Sequence, residues 1–146
     1  MPQAENDIIS IGQLQIRYLR DGSADGTAGM FQLTVPPGAK SPPAHSHDNE
    51  EIMYCLEGVL RSTVGGVVRD LTPGDVAYTP KGVVHGFDNP YGKTARVVVV
   101  NTPDIGAQYF RDVATALQSA GGPNPVGIAE VMRQYGLTPA GAPATA

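Results

Sequence analysis

The sequence predicts a single domain with an all-β body followed by two helices, and three observations carry that expectation. Gly and Pro are abundant, with 18 and 13 residues, and they punctuate short apolar segments. Within those segments apolar and polar residues alternate, as in strands that bury one face. After Pro103 the spacing of apolar residues becomes helical. At 146 residues, 41% hydrophobic and 16% charged, the chain has the size of one ordinary domain. A domain of that size buries roughly two-thirds of the surface its unfolded form exposes.

The elements follow in order. Residues 8–19 hold Leu14, Ile16 and Tyr18 at alternating places, residues 21–29 form a Gly, Asp and Ser loop, and residues 30–35 read as a strand stopped by Pro36, Pro37 and Gly38. Two strands flanking a loop are therefore expected. Residues 52–56 and 59–63 are expected to form a hairpin turned at Glu57 and Gly58. A turn at Gly65 and Gly66 leads to residues 67–71, and Pro73, Gly74 and Asp75 turn the chain again. Residues 76–79, 83–87 and 95–101 complete a series typical of a sandwich or barrel.

Asp104 is placed to cap a helix carrying Ile105, Tyr109, Val113, Ala116 and Leu117 on one side, ended by Gly121 and Gly122. Asn124 and Pro125 suit the cap and first position of a second helix with Ile128, Val131, Met132 and Tyr135 at helical spacing, stopped by Gly136. Isolated helices of this length are marginal in water, so both apolar faces must cover the β body or a partner subunit. The expected division is a β body over residues 1–103, a helical extension over 104–136 and a disordered Ala, Pro and Gly tail over 137–146.

Composition excludes several classes. A net charge of -4 and a pI near 5.2, without any run of Lys or Arg, leave no basic face for nucleic acid. The polar, acidic N-terminus lacks a secretory pattern, and no long apolar stretch follows, so a cytoplasmic protein without a membrane partner is expected. Cys55 has no disulfide partner and sits in an apolar run, as a buried structural thiol would.

All three histidines, His45, His47 and His85, lie in two stretches, residues 38–58 and 74–89. Alternate side chains of an extended segment share a face, so His45 and His47 project together and His85 joins them from another strand. Three imidazoles and one carboxylate, with Glu50 and Glu51 both at hand, suit a divalent transition metal.

These stretches resemble the paired motifs of the cupin superfamily, small β-barrels built as jelly rolls (double-stranded β-helices). The second matches at Gly74, Pro80, Gly82, His85 and Asn89; the first matches at His45, His47, Glu51 and Gly58, with one extra residue between Gly38 and His45. The resemblance implies that His45, His47, Glu51 and His85 hold one divalent ion, Fe, Mn or Ni before Zn or Co, with open positions for water, O2 or substrate. Only Glu51, not Glu50, keeps the family spacing. If Glu51 faces inward, strand alternation brings Met53 and Cys55 with it, and Val83 and Phe87 flank His85. These four are the candidate substrate pocket, apolar around one charged centre; for Met53 and Phe87 plain core packing is an equal reading. Asp88 and Asn89 are expected to shape a turn, and Tyr109 and Phe110 to pack.

Within that superfamily the sequence resembles quercetin dioxygenase-like cupins, which implies a metal-dependent dioxygenase acting on a small aromatic or enolisable compound with Glu51 as general base. The alternative is a non-oxidative cupin, either a small-molecule binding protein or an isomerase or cyclase using the metal as Lewis acid. A homodimer formed through an edge strand or a sheet face is expected.

Overall fold

The computed structural model describes residues 8–41 and 43–140. Strands β1 (Ile8–Ile11), β2 (Leu14–Arg20), β3 (Gly29–Val35), β4 (His45–Ser46), β5 (Glu50–Glu57), β6 (Leu60–Val64), β7 (Val67–Leu71), β8 (Val76–Thr79), β9 (His85–Asp88) and β10 (Ala95–Thr102) precede helices α1 (Ala107–Ala120) and α2 (Pro125–Gln134), and a short β11 (Thr138–Pro139) follows. They form a six-stranded sheet ordered β1-β2-β3-β10-β5-β8 and a five-stranded sheet ordered β11-β4-β9-β6-β7. The named strand pairs are all antiparallel, as a jelly roll requires.

The alternation that predicts strands also sets their faces. In β10, Ala95, Val97, Val99 and Asn101 are buried while the residues between them are partly exposed. With Ile16, Phe31, Leu33 and Met53 they build the inner face of the six-stranded sheet. Along α1, Tyr109, Phe110 and Val113 join the lining of the cavity between the sheets, so this helix covers the barrel interior. Tyr18, Phe31 and Phe110 stack around one another with ring centroids 5.1–6.1 Å apart, fixing helix to sheet.

Several expectations change. Residues 52–56 and 59–63 do not form a hairpin. Strand β5 pairs with β10 and β8, whereas β6 pairs with β7 and β9 in the other sheet. Gly58 is the corner between the sheets, with φ 71° and a position where a Cβ would lie 2.4 Å from the Thr94 carbonyl oxygen. Local turn chemistry is the same for a hairpin and for a corner, and only the long-range partners distinguish them. Residues 8–19 hold two strands, because Gly12 turns the chain and β1 folds back on β2.

Asp104 does not cap α1. The helix starts after Gly106, and the Ala107 N–H donates instead to Asp21 Oδ2 at 3.0 Å. Asp104 Oδ1 accepts from the Tyr18 hydroxyl at 2.9 Å, and its Oδ2 accepts from Gly22 N–H. It sits over Gly29, where a Cβ would come within 1.9 Å of its carboxyl carbon. Asn124 does cap α2, accepting from Gly127 N–H at 3.1 Å, with Pro125 in the first turn.

Residues 137–140, expected to lie in a disordered tail, are instead packed and paired. Leu137 is 2% exposed, Thr138–Pro139 pair with β4, and Ala140 N–H donates to the Ala44 carbonyl. An apolar anchor and a free strand edge order this segment despite its Ala, Pro and Gly composition. Residues 141–146 lie outside the described region. No helix among the described residues is long and apolar enough to cross a membrane.

Candidate metal centre

His45 starts β4 and faces His85, the first residue of β9, as its direct partner. His47 follows β4, and its carbonyl accepts from Gly82 N–H at 2.8 Å, tying the turn before β9 to the first motif. One ring nitrogen from each histidine lies within 4.8 Å of the others. Glu51 enters from the opposite sheet on β5, with Oε1 3.7 Å from His47 Nε2 and 3.6 Å from His85 Nε2. His47 and His85 are buried and His45 is half-buried.

The backbone orients all three rings in the same way. Nδ1 of His45 lies 3.0 Å from the Pro43 carbonyl oxygen, Nδ1 of His47 3.2 Å from that of Asn49, and Nδ1 of His85 2.9 Å from that of Val83. A carbonyl only accepts, so each Nδ1–H donates to it and Nε2 is left as the ring position that can bind a metal. Nε2 of His47 and of His85 are buried and have no hydrogen-bond partner. Nitrogens sharing one transition-metal ion at about 2.1 Å stand about 3.0–3.5 Å apart. The donor set, with nitrogens within 4.8 Å of one another, fits such an ion once their separations close by up to about 1.3–1.8 Å.

Electrostatics agree. Burial pulls the Glu51 carboxyl up, but the His47 and His85 rings beside it outweigh burial and hold it well below the usual carboxylate range. Burial lowers His85, yet its contacts with Glu51 bring it above the ordinary histidine value. Burial, followed by the proximity of His85, pushes His45 down to about 4. The site thus favours an anionic carboxylate beside rings that a cation or a proton must satisfy.

Glu50 is the carboxylate turned away. Its Oε2 accepts from the Tyr78 hydroxyl, and its Oε1 lies 3.4 Å from Thr102 Oγ1. Met53 and Phe87 line the cavity beside the histidines, with Phe31, Leu33, Val99 and Tyr109 among the other walls. The cavity is compact, with a volume of about 60 Å³.

Cys55 and Val83 are not among the lining residues. Cys55 lies fully buried beyond Met53, its Sγ 3.6 Å from the Glu57 and Gly58 carbonyl oxygens, and burial raises its thiol. Val83 precedes β9, so strand parity does not extend to it, and it serves His85 through its carbonyl instead. Asn89 shapes its turn as expected, donating to the Val35 and Lys93 carbonyls and accepting from Tyr91 N–H. Asp88 instead forks onto Arg61 at 2.8 and 2.6 Å.

Two polar lining residues, Ser41 and Asn101, escaped sequence reading. Asn101 ends the inward row of β10 opposite Glu51. Its signal was available, as a lone amide at an inward parity after Val97 and Val99.

Two antiparallel sheets enclosing three converging imidazoles and a carboxylate define a single-barrel jelly-roll protein with a candidate mononuclear metal site. Residues 31–101 match the Cupin domain model, so this part of the chain is a cupin domain. Among solved structures it is similar to an RmlC-like cupin from Shewanella frigidimarina NCIMB 400, at 25% identity and TM-score 0.60, covering 68% of this chain and 85% of that one. It is also similar to the polyketide cyclase RemF from Streptomyces resistomycificus, at 29% identity and TM-score 0.56, covering 64% and 67%. A sugar phosphate isomerase of the cupin superfamily from Silicibacter pomeroyi matches at 31% identity and TM-score 0.53, covering 61% and 59%. No curated protein matches the sequence.

Proposed function

We propose that the protein is a mononuclear metal-dependent dioxygenase acting on a small aromatic or enolisable compound. The observation that carries this reading is the convergence of His45, His47 and His85, each ring oriented by a backbone carbonyl, beside Glu51 in an apolar cavity. A divalent Fe, Mn or Ni ion held by these residues, with Zn or Co as alternatives, supplies Lewis acidity toward a ligand oxygen and, where redox-active, reactivity with O2. Glu51 is the proton-handling group: it is kept anionic and stands on the cavity wall, where a substrate C–H or O–H comes within reach. The walls formed by Phe31, Leu33, Met53 and Phe87 exclude water from that transfer.

A second, non-oxidative reading is favoured by the likeness to a polyketide cyclase and a sugar phosphate isomerase. In that reading the same residues act without O2. Metal-loaded protein assayed with acetylacetone and catechol, by O2 electrode in air and by NMR under nitrogen, separates the two. Metal-dependent O2 uptake lost in Glu51→Gln supports the dioxygenase. Conversion under nitrogen assigns the second reading, and no conversion in either condition counts against both.

We propose a cytoplasmic homodimer, paired through the outer face of the six-stranded sheet. Ile52, Tyr54 and Leu56 on β5 and Val76 and Tyr78 on β8 are each at least 40% exposed. Ile52 faces Tyr78 and Tyr54 faces Val76 across the strands, so the five form one apolar patch. A two-fold axis through this patch would bring the same residues of both copies together and bury them.

A further inference from the structure

We propose that Asn101 is a ligand-positioning residue of the metal-site cavity, its carboxamide oxygen accepting a hydrogen bond from an O–H or N–H of a ligand whose own oxygen meets the metal. This rests on the metal-site reading above. Asn101 is 1% exposed and lines the cavity at the end of β10. Its register partner is Glu51, so the two backbones are neighbours one strand apart.

Oδ1 of Asn101 is buried with no hydrogen-bond partner. Among the described residues only two other side-chain atoms share that condition, Nε2 of His47 and Nε2 of His85. The three unpaired atoms belong to residues that line one cavity. A buried amide oxygen without a donor carries the full cost of its lost water, whereas an apolar residue of similar size would carry none.

The preceding inward residues of the same strand, Val97 and Val99, are apolar. The fully buried Asn89 shows the contrasting, structural use of an amide: its Nδ2 donates to two carbonyls and its Oδ1 accepts from Tyr91 N–H. Asn101 Oδ1 has an open acceptor where a ligand supplies the donor. The ligand class that fits is compact, with a metal-binding oxygen, a separate hydrogen-bond donor and an otherwise apolar frame.

The test uses two chelators that differ in one donor, acetohydroxamic acid, which carries an N–H, and N-methylacetohydroxamic acid, which does not. Co(II)-loaded wild type and Asn101→Leu are titrated with each, followed by visible absorption. Wild type is expected to favour acetohydroxamic acid by about 5- to 10-fold, and Asn101→Leu to bind both alike with unchanged Co(II) affinity. Metal-free Asn101→Leu is expected to melt no lower than wild type. Asn101→Ala, expected to lose the same preference, serves if the leucine does not fit.

A preference retained in the variants overturns the role of Asn101, as does equal binding of the two chelators by wild type. Failure of wild type to bind Co(II) or either chelator overturns the metal-site reading and this inference with it.

Discussion

His45 and His85 are direct partners across β4 and β9, with ring centroids 4.7 Å apart. It is the one register pair between β4 and β9, and a shared ion would add a second clasp between these two short strands.

Metal binding is therefore expected to stabilise the fold. An ion at 100 times its Kd adds about 2.7 kcal/mol to a folded state that alone binds it, which is roughly 5–10 °C for a domain of this size. His45→Ala and His85→Ala are expected to lose the ion and the shift. Thermal melts with Ni(II) and with EDTA, beside elemental analysis, check this; equal shifts in wild type and variants would argue against the site.

The β7–β8 turn has a pH dependence of definite sign. Asp75 Oδ2 accepts from the Thr72 N–H at 2.9 Å and from its hydroxyl at 3.0 Å, and these bonds hold the carboxyl below its usual range. A depressed folded-state pKa gives stabilisation that is complete above the unfolded value of about 3.9 and lost as pH falls through the folded value. Asp75→Asn is expected to melt below wild type at pH 6, with the gap narrowing by pH 2.5. A gap independent of pH would remove the charge from the account.

Leu137 anchors the segment after α2. Leu137→Ala is expected to cost about 2–5 kcal/mol in urea denaturation, as for other buried leucines. Because β11 pairs with β4, with Pro139 opposite His45, the variant is also expected to bind metal more weakly. A cost below about 0.5 kcal/mol, the range of surface changes, would mean that this segment is a loose tail after all.

On the outer sheet face, Tyr54→Glu is expected to convert the proposed dimer to monomer without changing metal content. Light scattering coupled to size exclusion reads the mass. A monomeric wild type, or a dimeric variant, would place the partner elsewhere or nowhere.

Much of the site was legible because its chemistry is local. His45 and His47 are two residues apart on one extended stretch, and Met53 follows Glu51 inward by the same alternation. Val83 and Cys55 show where that logic stops. Parity ends with the strand at His85, and Cys55, although on the correct face, lies too far along β5 to reach the cavity.

Composition and periodicity by themselves determined an all-β body with two terminal helices, the capping of α2 by Asn124, and the histidines that converge. Tertiary structure decided what depends on distant partners. It turned the apparent hairpin at Gly58 into a corner between sheets, gave the start of α1 to Asp21 instead of Asp104, and set Glu51, the carboxylate that the family spacing already selects over Glu50, on the inward face. The physical reason is common to all three. Turn, cap and side-chain facing propensities each allow more than one outcome locally, and the pairing of β5 with β8 and β10 selects among them for the strands, as packing over Gly29 does for Asp104.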